Sequence, residues 1–365
     1  MKKLLIIMLA AILVLALAGC EEKTETTSEA PSRTASMETV VTSPIIGLLF
    51  PKQDAFYERM EQEALLLAQE EGYELLTYYP DSDNQQVTDM YAAIGAGAQC
   101  IMIAPRNMDN LQTVLDECDM QAIPVINLMV PINGVVDTLV CPDYQLMGQK
   151  GADAVRGAVG EEEDAHVFLL ESLDTTFVSQ LMHDGFTAQA EDLNGVFVED
   201  AQIIQPGEET AYAEVAEQLK YNEEINAVFA SDETFAPGVL RAVEESGRNV
   251  KIVCVGGSRQ IMDMVRDGTV SASVFASPVE LAQIAVDYAV KCAVDPNFVL
   301  PQYAGMTIET IFPTDVEKYS VFGEYADALT NKVQSTQQPS AQTEEKADET
   351  SSAAPASESG GGEED

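Results

Sequence analysis

The sequence predicts an α/β protein made of two doubly wound parallel-sheet domains, and three observations carry that prediction. The first is the stretch from Gln99 to Val130. It starts with the apolar run Cys100-Ile-Met-Ile-Ala104, too short for a helix and right for a strand buried on both faces. Pro105-Arg106-Asn107 breaks the run, and Leu111, Val114, Leu115 and Cys118 then recur at three- and four-residue spacing. Either Asn107 or Asp109 suits the cap of that helix, which ends near Gln121, and Ile123 to Leu128 reads as a second buried strand. Strand, helix and strand in about thirty residues form a βαβ unit with a right-handed crossover. The second observation is that strict strand–helix alternation extends back to Ile45. The third is that it restarts at His166 and runs on to Phe275. Ligands on such sheets bind outside the carboxyl ends of the strands, which singles out Pro105-Arg106-Asn107 and Met129-Val130.

The elements follow in order. Ile45 to Phe50 is the first strand, and Pro51-Lys-Gln-Asp54 ends it. A helix over about 55–71 carries Met60, Ala64, Leu67 and Ala68 on one face and stops at Gly72. A strand over 73–79, a turn at Pro80 to Asp83 and a helix to about Gly97 lead into the unit above. Thr138 to Cys141 is a short strand, Pro142-Asp143 opens a helix to about Val159, and Glu161 to Asp164 is a solvated acidic turn. The second half alternates strands at about 166–170, 198–205, 227–230, 250–255 and 269–275 with helices at about 177–192, 209–220, 235–245 and 260–267. After Pro278 comes a long amphipathic helix to about Ala293, and Met306 to Ile311 is the last strand.

The two ends read differently. Lys2-Lys3, the apolar Leu4 to Ala16 and the box Leu17-Ala18-Gly19-Cys20 form a lipoprotein signal over 1–20, with Cys20 the lipidated residue. The apolar stretch is short for a membrane span, so a lipid on Cys20 is the expected anchor. Residues 21–43, rich in Thr, Ser and Glu, form a disordered tether, and 326–365 a disordered acidic tail. A formal net charge of −42 over 365 residues excludes a nucleic-acid partner, whose phosphates require Lys and Arg. Five cysteines remain after Cys20, an odd number without a Cys-x-x-Cys pair, and read as buried free thiols.

Four stretches resemble the type I periplasmic-binding-protein family, the ribose- and galactose-type receptors of ABC importers. They are Ile46-Gly-Leu-Leu-Phe with Ala55-Phe56-Tyr57; Gly95 to Pro105 with Ala122 to Ile126; Ile225 to Glu233 with Gly238; and Asp267 to Val274 with Pro278. The resemblance spans about 45–312. It implies two domains joined by a three-stranded hinge, with crossings near Cys141–Asp143, Ala276–Pro278 and Tyr303–Gly305. Residues 44–141 plus 278–304 would form one domain, and 142–277 plus 305–325 the other. It further implies a monomer that closes on one small ligand and delivers it to an ABC permease. A ligand-sensing receptor subunit is the alternative use of the same fold.

The residues implied for the cleft are a mixture of matches and departures. Phe56 and Tyr57 fall on the aromatic pair that stacks on a sugar, with core packing the competing role for one of them. Asp54 and Asp232 stand at usual Asn positions, and Glu233 at a usual Asp. Met129-Val130 replaces an Asp-Arg pair, Met182 a sugar-clamping Arg, Gly256 or Gly257 an Asp, and Ala276 a Gln. Glu171 and Glu209 are expected on nearby strand ends, Lys52 and Arg106 at the rim, and Phe235 against the ligand's apolar face. With carboxylates kept and arginines lost, the order of preference is a neutral sugar-like ligand, then an amine-bearing one, then an acidic one. Gly256-Gly257-Ser258 is either an anion-binding backbone loop or a plain tight turn. No nucleophile elbow or phosphate loop occurs, and the two histidines, His166 and His183, are too few for a histidine-rich metal site. A binding protein without cofactor, rather than an enzyme, is the expectation.

Overall fold

Strands buried on both faces need apolar residues at every position, and that requirement gives the two sheets of this protein their composition. The computed structural model describes residues 43–173 and 176–316. The first lobe contains β1 (Ile45–Leu49), α1 (Ala55–Glu70), β2 (Glu74–Tyr78), α2 (Asp83–Gly95), β3 (Ala98–Ile103), α3 (Gln112–Met120), β4 (Val125–Leu128) and β5 (Thr138–Cys141). The second contains α4 (Tyr144–Val159), β6 (Ala165–Ser172), α5 (Thr176–Asp192), β7 (Val196–Ile204), α6 (Glu208–Tyr221) and β8 (Ala227–Ala230). It continues through α7 (Ala236–Ser246), β9 (Lys251–Val255), α8 (Arg259–Arg266) and β10 (Ala272–Ala276). Helix α9 (Pro278–Val294) and β11 (Tyr303–Gly305) return to the first lobe, and β12 (Ile308–Ile311) to the second.

Among the described residues the strand orders are β11-β5-β4-β3-β1-β2 and β7-β6-β8-β9-β10-β12, the same winding used twice. Alternate residues of a strand face opposite layers. Cys100 and Met102 pack with α1 and α9, whereas Ile101 and Ile103 pack with α2 and α3. In the second lobe Phe168 and Leu170 face α6, α7 and α8, while Val167 and Leu169 face α4 and α5. Each sheet is thus covered on both faces.

Three short passages connect the lobes: Pro142-Asp143, Ser277, and Met306-Thr307. The third lies just beyond the expected Tyr303–Gly305, because these three residues pair with Leu139 to Cys141 as a parallel edge strand. Strand β12 is antiparallel to β10, a departure from the all-parallel expectation. The reason is geometric: a chain running straight between two sheets whose carboxyl ends face each other is parallel in one and antiparallel in the other. The expected cap of α3 is also corrected. Its N-terminus at Leu111 has no side-chain cap, and Asn107 instead accepts from the Asp109 amide at 2.9 Å in a preceding turn. The lipoprotein signal with Cys20, all but the end of the tether and the acidic tail lie outside the described residues.

The five cysteines of the described residues are free and buried. Burial raises every thiol: Cys100 well above the ordinary value, Cys118 and Cys141 to about 11, Cys254 to about 12, and Cys292 in the same direction. A protonated, covered thiol is a poor nucleophile. The folded protein at pH 8 should therefore react negligibly with a soluble aromatic disulfide reagent, and all five thiols should react in guanidinium. Rapid labelling of the native protein would show that the cysteines are accessible.

Candidate ligand-binding site

The carboxyl ends of the two sheets enclose a cleft of about 800 Å³. Its walls come from the loops after β1, β4, β8, β9 and β10, from the Pro142 and Ser277 passages, and from the first turns of α4 and α5. Each wall has a local cause in the sequence.

On the first lobe, Pro51 and the residues after it end β1, and Asp54 caps α1 by accepting from the Tyr57 amide at 3.0 Å. Its other oxygen lies 3.3 Å from Lys52. The cap starts the helix so that Phe56 and Tyr57 both line the cleft. Tyr57 both lines the cleft and belongs to the core of the first lobe. It packs on Phe50 in the core, is 8% exposed, and has its hydroxyl raised by burial. Phe56 meets it edge to face with centroids 5.3 Å apart.

Met129 and Val130 also line the cleft, held there by a buried side chain. Asn127, 1% exposed, donates to the Val130 carbonyl at 2.9 Å and accepts from the Ile132 amide at 2.9 Å. The loop so fixed puts Met129 in the left-handed region, φ +65°, and its carbonyl receives the Tyr144 hydroxyl from the other lobe at 3.2 Å.

On the second lobe, Met147 of α4 and Met182 of α5 line the cleft floor. Their placement depends on two glycines. A Cβ at Gly148 would overlap the Met182 carbonyl, and one at Gly185 would overlap the Gln145 carbonyl, so the helices cross with backbones in contact. Asp232 accepts from the Thr234 amide at 2.9 Å and the Thr234 hydroxyl at 2.7 Å through one oxygen. Its second oxygen has no partner among the described residues. Glu233 accepts from the amides of Gly257 and Ser258, both at 3.2 Å. Desolvation raises its carboxyl, with those bonds opposing the shift. The glycine loop is thus a carboxylate-binding turn whose occupant is the protein's own Glu233. Gly256, at φ +150°, leaves no room for a Cβ beside Glu233, and at Gly257 a Cβ would overlap the Phe275 ring. Phe275 fills the space a side chain there would take, and Ala276 ends the same wall.

Of the sequence candidates, Asp54, Phe56, Tyr57, Met129, Met182, Asp232, Glu233, Gly256 and Ala276 line one cleft. Four others do not. Arg106 bonds the carbonyls of Pro51 and Pro80 and pairs with Asp83 at 3.4 Å, tying loops of the first lobe together. Glu171, 4% exposed, pairs with His183 at 2.8 Å inside the second lobe, with its carboxyl raised by desolvation. Glu209 grips Arg241 at 2.8 and 2.9 Å on the outer surface, where that hydrogen bond lowers its carboxyl. Phe235 is wholly buried in the core of the second lobe.

The expectation of an arginine-poor cleft is corrected as well. Arg59, Arg259 and Arg266 border it, on helix turns that no motif marks. With Lys52 they make four basic groups against the five acidic ones, Asp54, Glu58, Asp232, Glu233 and Asp263, so local charge has no dominant sign. Arg59 pairs with Glu63 at 3.1 Å, and Arg266 with Asp263. Gln62, Tyr144, Met147, Val178 and Ser231 are further lining residues that the sequence left unmarked.

Two wound lobes, three passages and a cleft between facing sheet ends define a bilobal binding protein. This chain belongs to the periplasmic binding protein family: the profile of the periplasmic binding protein domain matches residues 46–294. It is similar to the ribose import binding protein of Bacillus subtilis (strain 168), 23% identical over 225 residues, 61% of this chain and 72% of that one. The ribose import binding protein of Salmonella typhimurium is 24% identical over 268 residues, 71% of this chain and 88% of its own. Among solved structures, an ABC transporter periplasmic solute binding protein from Actinobacillus succinogenes with bound D-allose has a TM-score of 0.70 at 20% identity. It covers 76% of this chain and 100% of its own. A sugar-binding protein of a Bacillus halodurans sugar ABC transporter matches with TM-score 0.70 at 15% identity, over 76% of this chain and all of its own. These relatives are binding proteins of transport systems, not enzymes.

The glycine crossing of α4 and α5 makes a test of opposite signs. Gly148→Ala should cost about 1–3 kcal/mol in chemical denaturation through overpacking. Gly157→Ala, on the exposed side of α4 with Phe312 at ordinary contact distance, should stabilise by about 0.5–1 kcal/mol. Equal effects at the two positions would contradict the close crossing.

Proposed function

We propose that this protein captures one sugar-like molecule outside the cytoplasm and delivers it to an ABC permease. The observation that carries the reading is the cleft itself: one wall from each lobe, joined by three short passages about which lobes can close. The relatives named for ribose import support a sugar-like ligand. The lipobox at Leu17 to Cys20 supports a lipid anchor, and no helix among the described residues is long and apolar enough to cross a membrane. A monomer suffices, since one chain supplies both walls. An amine-bearing ligand is the second reading, favoured by the second oxygen of Asp232, which has no partner among the described residues.

A thermal-shift panel of sugars, nucleosides, amines and amino acids tests the function and separates these two ligand classes. With a ligand in hand, Asp232→Ala should weaken binding by roughly 1.5–3 kcal/mol, the value of a charge-assisted hydrogen bond. Glu209→Ala on the outer surface should leave affinity unchanged. Calorimetry showing wild-type affinity for the Asp232 variant would remove that residue from the site. Cys20→Ser should release the protein from membranes or leave it unprocessed, read by fractionation. Retention of a processed Cys20→Ser protein at high salt would contradict lipid anchoring.

A further inference from the structure

A cleft that encloses a free sugar has to replace the water around every hydroxyl, so its centre must be dense in donors and acceptors. The walls of this cleft are largely apolar. Met129, Met147, Val178, Met182 and Phe275 line it. Met147, Val178 and Met182 are buried at 3%, 7% and 4% exposure, packed with the part-buried Met129. Three of the five are thioethers, polarizable and adaptable groups that favour aromatic and alkyl surfaces. Phe275 stands where Gly257 leaves space for its ring, so the aromatic surface there is built into the backbone.

Much of the polar border is engaged within the protein. Asp54 caps a helix and meets Lys52, Glu233 holds its own backbone turn, and Arg59 and Arg266 have carboxylate partners. The Ser231 hydroxyl accepts from the Ser172 amide at 3.1 Å. Several lining groups keep capacity for a ligand. They include the Tyr57 hydroxyl, the Gln62 amide, one oxygen of Asp232, and Arg59 Nη1, which is buried without a hydrogen-bond partner among the described residues. Such groups can bond the hydroxyls of a sugar ring, and the thioether and aromatic walls beside them can take an apolar body. The volume of about 800 Å³ is also generous. Pockets of roughly 300–1,000 Å³ with mainly apolar walls enclose drug-sized ligands.

We infer that the ligand is a glycoside or nucleoside rather than a free monosaccharide. Its apolar aglycone or base packs against Met129, Met147, Met182 and Phe275, and one edge of its sugar is bonded by Asp232, Gln62 and Tyr57. This rests on the sugar-like ligand proposed above and narrows it to a class with an apolar body.

Calorimetry with ligand-stripped full-length protein tests the inference through two matched pairs, D-ribose against adenosine and D-glucose against phenyl β-D-glucoside. At least one apolar-bearing member should bind ten times or more tightly than its free sugar. Met182→Gln, close to isosteric, should lower that member's affinity about tenfold and move any measurable free-sugar affinity less than twofold. Its melting temperature should stay within a few degrees of wild type, which reports that it folds. Free sugar binding as tightly as both partners overturns the inference and leaves the sugar-like ligand standing. Absence of binding by all four compounds, with an amine or amino acid shifting the melting temperature, removes the sugar-like reading and the inference together. A folded Met182→Gln protein that keeps the full preference also overturns the placement of the apolar body.

Discussion

Met129 holds a left-handed backbone conformation, φ +65°, which a residue with a side chain keeps only when its surroundings impose it, at a cost of about 1–3 kcal/mol. Here the imposing group is Asn127, whose buried amide bonds the Val130 carbonyl on one side and the Ile132 amide on the other. With that loop fixed, the Met129 carbonyl faces the second lobe and accepts the Tyr144 hydroxyl. Tyr144 opens α4 directly after the Pro142-Asp143 passage, so the same contact links the loop after β4, the first passage and the helix that carries Met147. The floor of the cleft depends on this chain of bonds. An apolar cluster seals it, combining Tyr144, Met147, Val178 and Met182 with Met129 and Val130.

The charged groups around the cleft follow a different logic. Burying a carboxylate or guanidinium without a partner is costly. Accordingly Glu233 is wrapped by backbone amides, and Arg59 and Arg266 lie against carboxylates. Those pairs shape the walls, while one oxygen of Asp232 and the buried Arg59 Nη1 have no partner among the described residues. Met129, Met182 and Ala276 add apolar surface to the same cleft.

The winding of both lobes was legible because buried strands and amphipathic helices leave periodic marks, as at Cys100 to Ala104 and Leu111 to Cys118. Strand β11 was not, since Tyr303-Ala-Gly305 is three residues long and carries no periodicity. The loops that end strands were also legible, which is why Phe56, Met129 and Asp232 meet in one cleft. What failed was the fate of individual polar side chains. Glu209 and Arg106 looked like ligand groups on local sequence, but each found a partner distant along the chain, Arg241 and Pro80 respectively. Arg59 and Arg266 were missed for the complementary reason, because helix position alone does not say which turn faces a cleft. Buried organisers such as Gln86, which bonds the Phe50 and Ala104 carbonyls, give no sequence signal beyond a polar residue on a helix.

The central claim is that the two lobes bind by closing on a ligand in the cleft. Small-angle X-ray scattering of the same preparation, ligand-stripped and then saturated with a ligand verified by calorimetry, tests it most directly. Closure about the three passages predicts a smaller radius of gyration and a shorter maximum dimension in the liganded protein. Identical scattering curves at proven saturation would contradict the account.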